Sequence, residues 1–111
     1  MRVAPVALSA ALLCGCGQPV PEDKASYVGE WQERKQTMYL LITQDGSIRY
    51  KRLRGGASTS IEAPIRGFEG DDFHVGVGPF STRFVVSAPP YHDQDGWKMV
   101  VDGVELVRTA R

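Results

Sequence analysis

Apolar and polar positions divide the chain into three unlike stretches. Val3 to Leu13 is an uncharged apolar run behind the charge of Arg2. Gly17 to Ser26, reading GQPVPEDKAS, is polar and carries no period. From Tyr27 onward, short runs of Val, Ile, Tyr, Phe and Trp recur between Gly, Pro and Asp, without helical spacing or an internal repeat. Side chains alternate faces along a strand, and Gly, Pro and Asp make its turns, so this pattern predicts an all-β domain. Strands are expected over 28–32, 38–43, 47–53, 58–63, 65–69, 73–77, 82–87, 97–101 and 104–108. A small antiparallel meander of about eight strands predicts a closed up-and-down barrel, which removes exposed edges.

Two hairpins set the register. Asp102-Gly103 is a two-residue type I′ signal that pairs Val101 with Val104 and Met99 with Leu106, with Trp97 on the same face. Around Asp45-Gly46, a two-residue loop would mix apolar and charged residues on one face. A three-residue loop with Gly46 left-handed instead pairs Ile42 with Ile48 and Leu40 with Tyr50, and turns Arg49 and Lys51 outward. The expected core is Trp31, Leu40, Ile42, Ile48, Tyr50, Phe73, Val75, Val77, Phe84, Val86 and Trp97.

The first stretch has a different use. The eleven residues from Val3 to Leu13 are too few to cross a bilayer core as a helix, which takes about 20. They have the length of the apolar core of a secretory signal, and Gly15, Gly17, Pro19 and Pro21 break any helix directly afterwards. Leu13-Cys14-Gly15-Cys16 resembles the lipobox of bacterial lipoproteins. Taking Cys14 as the acceptor would place bulky Leu13 beside the cut, so Cys16 is the acceptor. The resemblance implies removal of residues 1–15 as a signal peptide, a diacylglyceryl thioether on Cys16 and acylation of the new amino terminus, for example by palmitate. Cys14 departs from the Ala, Ser or Thr commoner at its position. Gly17 stands where an inner-membrane retention Asp would be, which by resemblance to Gram-negative lipoproteins implies the outer membrane, with the domain facing the periplasm. Residues 16–26 then form the lipidated N-terminus and a flexible tether, and 27–111 the β-domain. Ten tether residues reach at most about 33–36 Å. The mature chain keeps neither a free thiol nor a disulfide, so its core alone must hold it together.

Composition narrows the function. With 111 residues, the chain is one domain, and 13 Lys+Arg against 13 Asp+Glu exclude a polyanion-binding design. Aromatics alternate with cations only at Arg49-Tyr50-Lys51, too little for nucleic-acid stacking. No serine sits in a nucleophile elbow, there is no P-loop, and Asp71-Asp72 and Asp102 read as turn residues. No enzyme activity, metal or cofactor is expected, and the chain is expected to be a monomer. Arg49, Lys51, Arg52 and Arg54 place four cations within six residues. They read either as a docking strip for an envelope partner or as a solvated strand face balanced by Glu69, Asp71 and Asp72. Tyr91 and His92 fall in an expected long loop, 88–96, behind Pro89-Pro90, where they are candidate contact residues.

Gly29-Glu30-Trp31 resembles the Gly-x-Trp opening of the calycin barrels, lipocalins among them, and implies a small barrel with Trp31 plugging its core. Small lipoprotein inhibitors of lysozyme are similar in size, anchoring and architecture, although their stabilising cysteines are missing here. The expectation is a lipid-anchored, non-catalytic envelope protein that binds or supports another envelope protein or cell-wall component, inhibition being one version. The alternative is a small carrier of lipids or other small molecules, which needs a hollow barrel.

Overall fold

The alternation resolves into strands throughout. A computed structural model describes residues 18–111, so the expected signal segment and the expected lipid acceptor Cys16 lie outside the described residues. A 3₁₀ helix, Glu22–Tyr27, leads into β1 (Gly29–Gln32), β2 (Met38–Ile42), β3 (Ser47–Arg54), β4 (Ala57–Glu69), β5 (Asp72–Val77), β6 (Phe80–Phe84), β7 (Val86–Asp93), β8 (Gly96–Val101) and β9 (Val104–Ala110). These nine strands form one antiparallel sheet in the order β6-β5-β4-β3-β2-β1-β9-β8-β7, curled into a half-barrel. The architecture is all-β, as the pattern predicts.

Both hairpin registers agree with the sequence argument. Ile42 faces Ile48 and Leu40 faces Tyr50, with Gly46 at φ 92°. Val101 faces Val104 and Met99 faces Leu106, with Asp102 and Gly103 both left-handed. The inner face is filled by its own side chains. Trp31, Phe73, Phe84, Met99 and Leu106 are fully buried. Phe84 lies 5.1 Å from Phe73 and 5.0 Å from Tyr50, ring centre to ring centre. Burying each large apolar side chain contributes about 1.5–3 kcal/mol.

Four expectations need correction. The barrel is open rather than closed, because β6 and β7 are the two sheet edges and are not paired. Side chains bind the corner between them instead. The Asp102 carboxylate accepts the Val85 N–H (2.9 Å), while the Asp72 carboxylate accepts that of Val86 (2.8 Å). Secondly, the expected loop over 88–96 is mostly strand β7. Pro89 and Pro90 fall in an irregularity between Ala88 and Tyr91 on an edge, where a missing N–H costs no ladder bond. Thirdly, the expected flexible tether is docked from Val20 onward. Val20 is buried and donates its N–H to the Gln44 carbonyl (3.0 Å). Finally, Val77, expected in the core, is 62% exposed. The pairing of β5 with β4 ends at Val75–Ile65, so the sheet parts before Val77 is covered.

Candidate functional site

The basic strip lies on β3, held between β2 and β4. Strand alternation divides its cations between two faces. Arg49 and Lys51 point outward, with Arg49 opposite Glu62 and ion-paired to it at 3.2 Å. Arg52 and Arg54 continue the inward parity of Ile48 and Tyr50, but here the strand runs past the core. Arg52 is half-buried beside Met38, its register partner, while Arg54 is exposed at the hairpin tip. Gly55 and Gly56 close that tip, both left-handed, with φ of 53° and 86°. Among the described residues Lys51, Arg52 and Arg54 make no ion pair. Glu69 and Asp72 do not balance them. Both hold Arg83, at 2.7 and 2.9 Å.

Beside this hairpin the sheet splits. β4 is 13 residues long, yet only its second half pairs with β5. Its first half keeps β3 on one side and, among the described residues, has no strand on the other. Pro64 marks the parting, since it offers no N–H to carry a ladder further. The gap is a groove of about 600 Å³, floored by Ser60 to Ala63 and walled by the β5–β6 turn. Val77 and Phe80 stand on that wall, Phe80 with 78% of its surface exposed. Gly76 is required there, because a Cβ would overlap the Phe80 carbonyl oxygen.

Tyr91 and His92 do not join this region. Four strands, β2, β1, β9 and β8, stand between β3 and β7. As neighbours on a strand they also face opposite ways. The Tyr91 hydroxyl donates to Glu105 at 3.3 Å, while the His92 ring meets Trp97 edge-on at 5.4 Å. The adjacent carboxylates are engaged: Lys98, itself buried, reaches Asp93 at 2.8 Å and Asp95 at 3.4 Å. Lys98 accordingly holds the Asp93 carboxyl below its ordinary range, and Asp93 raises the ammonium of Lys98. Among the described residues no three His, Cys, Asp or Glu side chains gather as a metal site would need.

Arg108, not singled out by the sequence, lies inside the sheet on β9. Its guanidinium lies between Trp31 (4.9 Å) and Trp97 (5.0 Å) and donates to the Ser26 carbonyl. Its Nε is buried without a partner among the described residues, and burial lowers its proton affinity. Gly29 makes room for it, since a Cβ there would press against the Ala110 carbonyl oxygen at 2.8 Å and Arg108 Nε at 3.3 Å. The spacing of Gly29 and Trp31 was the available signal. The partner cation, 77 residues further on, could be found only from the β9–β1 pairing of Arg108 with Trp31.

The fold and these surfaces define an all-β antiparallel half-barrel with a filled interior and a split, basic-flanked rim. No family model, curated protein or solved structure matches the chain.

Proposed function

We infer that the protein is a lipid-anchored, non-catalytic envelope protein whose β-domain binds another component of the envelope. The signal-like apolar run and the lipobox resemblance at Cys16 support the anchor. One structural observation carries the binding reading: three cations that make no ion pair among the described residues stand at one end of β3, while the docked N-terminal segment is fastened at the other. Val20 bonds to Gln44, beside the Ser47 end of β3. The free cations run from Lys51 to the hairpin tip. Those ends are roughly 23 Å apart at the usual rise of a strand. An anchor at Cys16 would hold one end of the domain near the bilayer and leave the basic hairpin clear of it.

The filled interior favours this reading over the carrier alternative, which requires space where Trp31, Phe73 and Phe84 stand. Intact mass of the mature chain and membrane fractionation of Cys16→Ser test the anchor. A normally processed Cys16→Ser chain that still fractionates with membranes overturns it. Native mass spectrometry of gentle envelope extracts tests the binding. The expected result is a protein partner that is lost in Lys51→Glu/Arg54→Glu; a co-purifying small molecule would revive the carrier.

A further inference from the structure

We propose that the exposed half-edge of β4 accepts an extended, acidic segment of a partner protein as an added β-strand, in the groove beside Phe80. This names the site and partner chemistry for the binding reading above and rests on it.

The backbone supplies the first argument. In an antiparallel pair, residues alternate between turning both polar backbone groups toward the partner and turning both away. Ile65 donates its N–H to Gly46 on the β3 side, and the hairpin closes at Arg54–Ala57. Counting from either point, Ala63, Ile61 and Thr59 face β3, while Ser58, Ser60, Glu62 and Pro64 face away. Pro64 therefore occupies a position whose N–H β3 could not have used. Among the described residues, the outward groups of Ser58, Ser60 and Glu62 meet no strand. Unpaired strand edges of this kind are templates for an incoming strand.

Charge is the second argument. Lys51, Arg52 and Arg54 lie one strand away on β3, opposite Ser60, Thr59 and Ala57, where the groove floor begins at Ser60. Arg66 flanks the other end, with its guanidinium 3.5 Å from the Gly78 carbonyl in the β5–β6 turn. Glu62 is the acidic side chain in the lining, and Arg49 holds it. A segment with carboxylates toward its ends meets cations at both, and an apolar side chain between them meets Val77 and Phe80. Main-chain bonds supply affinity in such an arrangement, and side-chain pockets supply selectivity.

The test is photo-cross-linking in intact cells from a benzoylphenylalanine at position 80 of the full chain, with a second probe at position 51. The expected adduct from position 80 contains another protein and maps to an extended stretch rich in Asp and Glu. It disappears in Ser60→Pro, which blocks strand addition but removes no ladder bond to β3, so the folded signature by circular dichroism persists. It also disappears in Lys51→Glu/Arg54→Glu. An adduct insensitive to Ser60→Pro, or one with lipid or with a second copy of this chain, overturns the strand-addition proposal. A protein adduct from position 51 alone overturns it too, while leaving the binding reading intact. No protein adduct from either position overturns both.

Discussion

The two walls of the half-barrel are built from similar residues and end differently. Around β9, β1 and β2, every strand has a neighbour on each side, and Trp31 lies fully buried under Arg108. Around β4, β5 and β6, the strands start together at Glu69–Asp72 and then part after Ile65, leaving Phe80 in water. The difference lies beyond the last shared pair. On the first wall alternation continues into a partner strand. On the second, Pro64 interrupts the donors and Gly76 allows the β5–β6 turn to fold closely on itself. Hydrophobicity alone does not close a sheet; both strands must keep offering backbone groups.

The largest expected contrast comes from truncating the closed wall. Trp31→Ala removes a fully buried indole whose Nε1 donates to the Tyr27 carbonyl at 2.8 Å. We expect it to cost roughly 3–5 kcal/mol, measured by denaturant unfolding. That is a large share of the roughly 5–15 kcal/mol that holds a small domain folded. A loss below about 1 kcal/mol would mean that the core is not shared as described.

Gly76→Ala should come next, at roughly 2–3 kcal/mol, toward the upper range for single changes. The added methyl group would overlap the Phe80 carbonyl oxygen, so the β5–β6 hairpin must open. Arg108→Ala should rank third at about 1–2 kcal/mol, the scale of a desolvated cation–π contact. Arg108→Lys should recover only part of this, because an ammonium cannot stack flat between two indoles. Full recovery would show that charge alone suffices at this site.

The contrast also explains what the sequence could reveal. Strand pairs joined by short turns were legible: Asp102-Gly103 and Gln44-Asp45-Gly46 fix both register and face through local chemistry alone. The strand β7 was not, because Pro89-Pro90 is ordinary loop punctuation unless the strand is known to lie on an edge. Nor was the exposure of Val77, whose alternation with Phe73 and Val75 is regular; only the departure of a neighbouring strand leaves it bare. Among the candidate site residues, the basic strip was visible as a run. That Glu62 engages only Arg49, while Glu69 and Asp72 are held by Arg83, depends on the strand pairing.

Acid should loosen the two edges where they meet. The Val86 N–H, with Arg83 second, holds the Asp72 carboxyl below its ordinary value of 3.8. A carboxyl lowered on folding stabilises the native state above its ordinary value, and that contribution is lost as pH falls through the folded-state value. The amide of Val86 should therefore lose hydrogen-exchange protection in acid below pH 3.8, and Asp72→Asn should show the loss at neutral pH. Lys98 adds the opposite sign at high pH: Asp93 raises it, so its contribution holds from 10.5 down to the lowered range where Asp93 itself protonates, and fades as pH climbs past the raised value. Acid sensitivity that is equal at Val86 and at Leu106 in the middle of β9 would mean that the corner is not a separate weak point.

The smallest effect should fall on the most exposed apolar residue. Phe80 has 78% of its surface in water, so Phe80→Ser removes little that folding buried. Its stability change should stay within about 0.5 kcal/mol, as for surface changes away from special features. The same substitution exchanges the apolar wall of the groove for a hydroxyl, so binding there should weaken while unfolding does not move. A loss of stability comparable to Gly76→Ala would instead mean that Phe80 folds down onto β4 in solution and that the two walls are closed alike. Unfolding curves of the two variants, recorded side by side, separate an edge left open from one that closes over its own phenylalanine.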